Sequence, residues 1–178
     1  GYVYQGIDEN GNYILKQGED GQPVKEHLGS AMPKWNLGLS INMAYKDFDL
    51  TLAGYGMFGH KILNATKMEL YDSTRLPAQN TLDDFLTSGV KQGAIFSDYF
   101  LESGNFFRMQ TVTLGYNVPG VKKIGLSKVR FYLTAENLFT ITSYSGMDPE
   151  VYIPDNVLSG PGIDRLIIDN GTSEGSTY

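Results

Sequence analysis

Residues 34–60 constrain the fold of this chain more than any other stretch. From Lys34 to Lys46 the side chains alternate. Trp35, Leu37, Leu39, Ile41, Met43 and Tyr45 fall on one face, and Asn36, Gly38, Ser40, Asn42 and Ala44 on the other. Lys46-Asp47 reverses the chain, and Phe48, Leu50 and Leu52 then resume an apolar face opposite Asp49, Thr51 and Ala53. A period of two dictates extended strand, with one face in an apolar phase and the other in polar surroundings. The first run is about twice the usual 5–6 residues of a soluble strand. It matches the roughly 9–11 tilted residues with which a β-strand crosses a bilayer. About ten steps of about 3.3 Å, inclined by roughly 40°, rise about 25 Å, the height of the lipid-facing band of an outer-membrane barrel. Trp35 and Tyr45 place an aromatic at each rim.

The rest of the chain alternates short and long connections around further strands. Residues 2–7 and 12–16 read as a hairpin turned at Asp8-Glu9-Asn10-Gly11. The second long strand continues to about His60, and a third runs from about Asn105 until Pro119 removes a ladder donor. A fourth spans Lys128 to about Tyr144 and carries Arg130, Tyr132, Thr134 and Glu136 on its polar face. Glu136 in mid-strand is tolerable against a wet lumen and costly against a packed core. The expected division is a loop or hairpin over 1–32, strands at about 33–46, 48–60, 104–118 and 128–144, and long loops over 61–103 and 145–178. Within the first long loop, Thr81 to Gly89 reads as a short helix with Thr81 as N-cap. Short turns on one side and long loops on the other are the asymmetry of bacterial outer-membrane barrels. The fold class is therefore all-β: an antiparallel transmembrane barrel segment of about 4–5 strands, too few to close alone.

Composition excludes several alternatives. The chain has no cysteine, so disulfides, thiolate nucleophiles and sulfur-ligated metals are out. It has no apolar run of about eighteen residues that would form a helical span. Residues 1–30 carry five acids against two bases, and residues 146–178 six against one. An acidic chain without a basic stripe does not suit nucleic acid. Asp8, Asn10, Asn12 and Glu19 occupy calcium-loop spacing, but Tyr13 stands where the sharp turn requires glycine, so no calcium or other cofactor is expected. The two histidines lack partners at ligand spacing, and no catalytic constellation is present. Gly1-Tyr2-Val3-Tyr4 has neither the basic nor the apolar part of a leader peptide, so the chain reads as cytosolic or as a mature or internal piece of a larger protein.

Several stretches resemble one family. Phe106-Phe107-Arg108-Met109-Gln110-Thr111-Val112-Thr113-Leu114-Gly115-Tyr116 is similar to the R-x-x-x-x-L-G-Y strand of SusC/RagA-type TonB-dependent transporters. Lys123 to Arg130, followed by Ala135-Glu136-Asn137-Leu138-Phe139-Thr140, resembles that family's next strand. Tyr144-Ser145-Gly146-Met147-Asp148-Pro149-Glu150 resembles its Y-S-G-x-D-P-E continuation, and the hairpin around Tyr45 to Leu50 and Gly59 to Ile62 is also similar. The resemblance covers most of residues 33–150 in order. It implies a barrel of about 22 strands in the outer membrane of Bacteroidetes, importing oligosaccharides or peptides. Its implied partners are the TonB complex, a SusD-like lipoprotein lid and outer-membrane lipid. The chain would be roughly the last fifth of such a protein, without its plug and without the closing strand expected after Tyr178.

Under that reading no residue is catalytic. The candidate substrate contacts are the loop aromatics Tyr71, Phe96, Tyr99 and Phe100 and the lumen-facing Tyr55, Arg130 and Glu136. The loop rings serve equally well as the loop's own core. The alternative from another class is a soluble β-sandwich that binds glycans through those aromatics.

Overall fold

The computed structural model describes residues 1–72, 80–151 and 162–164, which fall into two compact units. One comprises Gly29–Ile62 and Ser103–Glu150. The other gathers Gly1–Leu28, Leu63–Glu102 and the described residues from Val151 on. The tail expected as a long loop over 145–178 lies outside the described residues at 152–161 and 165–178.

In the unit of residues 1–28 and 63–102, β1 (Tyr4–Ile7) and β2 (Tyr13–Leu15) form the expected antiparallel hairpin. The Asp8 carboxylate accepts the backbone N–H groups of Asn10 and Asn12, at 2.9 and 2.7 Å, and the Asn12 side-chain amide at 3.0 Å. These bonds, the Asn12 backbone first, hold its pKa below the usual carboxylate range. The calcium-like spacing is thus an Asx turn. Helix α1 (Ala65–Leu70) is capped by Asn64, whose side chain accepts the Lys67 N–H at 2.7 Å. Helix α2 (Asp83–Ser88) ends on Gly89, whose φ of 79° suits a residue without Cβ. Its N-cap is Leu82 and not Thr81, because the Thr81 hydroxyl donates to the Leu70 carbonyl instead.

The core of this unit is aromatic. Tyr13, Tyr71, Phe85, Val90 and Phe100 are buried, with Tyr4 and Tyr99 packed against them. Tyr71 meets Phe85 and Phe100 edge-on at 5.2 and 5.7 Å, and Tyr99 meets Phe100 at 5.0 Å. Burial pushes the Tyr13 hydroxyl up to about 12. Strand β5 (Lys61–Asn64) stands between β6 (Leu101–Ser103) and β9 (Ile163–Asp164), with Leu63 parallel to Ile163.

The other unit is one antiparallel sheet: β3 (Trp35–Tyr45), β4 (Phe48–Phe58), β7 (Phe106–Asn117) and β8 (Arg130–Thr142), in that order. The β3–β4 hairpin turns through Lys46 at φ 54°, and its register is unbroken from Tyr45–Phe48 to Trp35–Phe58. Between β4, β7 and β8 the register shifts at Gln110. Ala53 and Gly54 pair with Thr111 and Met109, and those two pair with Glu136 and Phe139. Asn137, at φ 50°, lies in the extra length of β8, a bulge carried by a residue that tolerates the left-handed region. The shift has a chemical result. It returns Phe107 and Met109 to the face of Val112, Leu114 and Tyr116, and places Arg108 on the opposite face.

One face is consequently apolar across all four strands. Its large side chains on the outer strands β3 and β8 stay exposed, Trp35 at 73%, Phe131 at 67% and Leu133 at 75%, and those of β4 and β7 are exposed or half-buried. A sandwich would bury such a face under a second sheet. Where the long connection leaves β4, His60 is buried with its ring where a Cβ on Gly104 would stand, 2.3 Å from Nε2. Burial lowers the His60 pKa and keeps the ring neutral.

Candidate functional site: the polar face of the sheet

The other face of the sheet is built in rows, because the register sets like chemistry side by side. In the middle row Asn42, Thr51, Thr113 and Thr134 stand opposite one another across the four strands. Thr51 Oγ1 donates to Asn42 Oδ1 at 2.9 Å, and the Thr113 and Thr134 hydroxyls lie 3.0 Å apart. Hydroxyl and amide side chains satisfy each other there and still offer lone pairs to water or a ligand.

Toward the short turns, Arg130 grips Asp49 with two hydrogen bonds, Nε to Oδ1 at 3.1 Å and Nη2 to Oδ2 at 2.5 Å. Asn117 adds a third donor to Asp49 at 3.3 Å. The register explains the reach. Arg130 stands opposite Asn117, Asp49 stands opposite Gly115, and the ion pair crosses diagonally over Gly115. A Cβ on Gly115 would lie 2.4 Å from both Arg130 Nη2 and Asp49 Oδ2. Glycine in the L-G-Y motif is the gap through which two strands are tied.

Toward the long connections, Tyr55, Arg108 and Thr140 share a row. Arg108 donates from Nε to Thr140 Oγ1 at 3.1 Å, from Nη1 to Glu150 Oε2 at 3.1 Å and from Nη2 to Asp148 Oδ1 at 2.6 Å. The Tyr55 hydroxyl also donates to Glu150, and the Glu150 N–H donates to Asp148 Oδ1. The segment after β8 is therefore folded inward over the polar face. It is bent where the buried Tyr144 ring occupies the space that a Cβ on Gly146 would need, 2.4 Å from the ring. Arg108 is 14% exposed, while its partners are open to water. Its several charge-assisted bonds set it apart from an isolated surface pair, which contributes about 0–1 kcal/mol.

This architecture has counterparts. No protein-family profile matches the chain. TonB-dependent receptor P3 of Formosa agariphila is 29% identical over 188 residues, covering 88% of this chain and 19% of the receptor. TonB-dependent receptor SusC of Bacteroides thetaiotaomicron is 30% identical over 158 residues, covering 82% of the chain and 15% of SusC. The structure of the RagAB peptide importer in its closed-closed state superposes with a TM-score of 0.67 at 23% identity, over 92% of the chain and 20% of the solved one. The chain belongs to the SusC/RagA-type TonB-dependent receptors. It spans less than a fifth of the length of these curated relatives, and its sheet is a stretch of an outer-membrane β-barrel wall. The relatives are receptors and transporters, not enzymes.

Within this TonB-dependent receptor segment, the residues singled out from sequence separate. Tyr55, Arg130 and Glu136 lie on the polar face of the sheet, with Tyr55 and Arg130 in opposite rows and Glu136 opposite Thr111 between them. Tyr71, Phe96, Tyr99 and Phe100 belong to the other unit. Tyr71 and Phe100 are fully buried there, their faces met by other rings, so they form that unit's core. Tyr99 is half-buried over the same core, with Lys67 Nζ 6.0 Å from its centre, and Phe96 keeps an exposed ring. Burial raises the Tyr71 pKa. Burial also pushes up Asp84, but hydrogen bonds from Tyr71 and Lys67 outweigh it and leave this carboxyl low. Arg108, Asp49, Asp148 and Glu150 stand outside the candidates drawn from sequence. Three of them carry a sequence signal: Arg108 as the cation of the R-x-x-x-x-L-G-Y stretch, and Asp148 and Glu150 as the carboxylates of D-P-E.

Proposed function

We propose that the chain forms part of the wall of a TonB-dependent transporter that imports oligosaccharides or peptides, with its polar rows lining the lumen and its apolar face meeting lipid. The observation that carries this is the division of one four-stranded sheet into an exposed apolar face and a face of ion pairs and hydroxyls. A strand buried on both faces, or wetted on both, would not show that division. SusC and the RagAB peptide importer support a solute passing through such a lumen. They also support a SusD-like lipoprotein closing the mouth and a TonB complex supplying energy. Among the sequence candidates, Tyr55, Arg130 and Glu136 are the lumen contacts of this proposal. Phe96 and, less openly, Tyr99 are the rings left to stack on substrate, since Tyr71 and Phe100 are occupied by the core.

The test is single-cysteine labelling in the whole protein. Leu37→Cys, Leu39→Cys and Leu133→Cys should react with a bilayer-soluble maleimide, and Tyr132→Cys and Glu136→Cys with a water-soluble one. The reverse pattern overturns the assignment of faces. A protein that stays in solution without detergent overturns the barrel wall, and favours the sandwich that binds glycans.

A further inference from the structure

We propose that the short-turn end of the sheet is a binding site for an anionic phospholipid. Its acyl chain lies in an apolar groove on the sheet and its headgroup beside Lys46, Lys122 and Lys123. The inference rests on the reading that the apolar face meets lipid, and adds which lipid and where.

The groove has a volume of about 520 Å³ and is walled by Met43, Tyr45, Phe48, Leu50 and Leu114. A flat apolar stripe serves any hydrocarbon, whereas a concave one holds a chain in place. The Lys46 ammonium stands 5.3 Å from the centre of the Tyr45 ring, which puts a cation on the groove's own wall. The second short connection starts beside it. The Asn117 N–H donates to the Asp47 carbonyl at 2.8 Å, and Asn117 closes β7. The 3₁₀ turn Val121–Ile124 then presents Lys122 and Lys123 to solvent together with Ile124, 74% exposed, and Leu126, 48% exposed. Lysines interleaved with open aliphatic side chains suit the boundary between acyl chains and headgroups.

The charge balance favours an anionic headgroup. Residues 46–49 and 117–130 hold five cations against two carboxylates. Asp49 reaches the rim of the groove, but its carboxylate is bound by Arg130 and Asn117 on the polar face, so this ion pair drops out of the balance. Asp47 offsets one charge beside Lys46. Each basic residue at a membrane surface gains about fivefold in affinity for anionic lipid, and a zwitterionic headgroup draws no such gain.

The experiment takes the whole receptor, folded and shown heat-modifiable, in mixed micelles of phosphatidylglycerol and phosphatidylcholine with identical acyl chains. The lipid retained after exchange is then counted. The expected result is severalfold enrichment of phosphatidylglycerol that collapses in Lys46→Gln/Lys122→Gln/Lys123→Gln and weakens in high salt. Leu114→Trp, which fills the groove, should lower retention of both lipids and leave their ratio unchanged. Equal retention of the two lipids by the folded receptor, or enrichment that survives the triple substitution, overturns the site while leaving the barrel reading intact. A receptor that retains neither lipid and needs no detergent fails at the earlier reading.

Discussion

At the scale of single residues, Gly115 separates two accounts of glycine in a strand. Glycine inside a strand is ordinarily a weakness, and alanine there gains about 0.5–1 kcal/mol. At Gly115 the added methyl would stand 2.4 Å from Arg130 Nη2 and 2.5 Å from Asp49 Oδ1. The clash falls on the ends of two flexible side chains, so the expected outcome of Gly115→Ala is a modest loss, that of the partly exposed ion pair, about 0–1 kcal/mol. The loss is read as a lower midpoint of thermal unfolding of the whole receptor in detergent. Arg130→Gln, which shortens the crossing side chain, should cost less when combined with Gly115→Ala than alone, because the ion pair is already displaced. Additive costs, or a gain from alanine, would show that glycine serves only to curve the wall.

At the scale of elements, Arg108 supplies the ionic ties to the strap after β8. Arg108 reaches Asp148 and Glu150, 40 and 42 residues away in sequence. Arg108→Gln leaves two carboxylates near each other without a cation, with the Tyr55 hydroxyl on Glu150 and the Glu150 N–H on Asp148 as their remaining donors. Cleavage by an added protease within 144–151 should then rise, and adding Asp148→Asn and Glu150→Gln should restore part of the protection by removing the repulsion. Unchanged cleavage would mean that Tyr144 packed over Gly146 holds the strap without the ions. This element also marks where sequence stops being legible. The apolar faces of β3 and β4 were readable because one strand's alternation needs no partner. The phase slip at Gln110 was not, since which of Phe107 or Arg108 faces the apolar side is set by pairing with β4 and β8. Asp148 and Glu150 share a local turn, in which the Glu150 N–H donates to Asp148 Oδ1. Their second role appears only when the chain folds back on Arg108. Tyr71 and Phe100 were open between substrate platform and core, because composition alone does not separate an exposed ring from a buried one.

At the scale of the whole molecule, the sheet has two edges to account for. The order β3-β4-β7-β8 gives β4 and β7 a neighbour on each side, while β3 and β8 each lack a second sheet partner among the described residues. A long edge strand beside an exposed apolar face is a template for aggregation in water. In lipid every unpaired amide costs several kcal/mol, so a wall of this kind persists only when further strands close the ring. In the intact receptor, amide hydrogen exchange of β3 and β8 is therefore expected to be as slow as that of β4 and β7, residue for residue. If β3 and β8 exchange orders of magnitude faster in the folded, detergent-solubilised protein, their outer edges meet water and not another strand. The four strands would then be an open sheet, and the polar rows of Arg108 and Arg130 would face no lumen. Slow exchange along all four strands leaves closure as the arrangement that satisfies both the backbone and the apolar face at once.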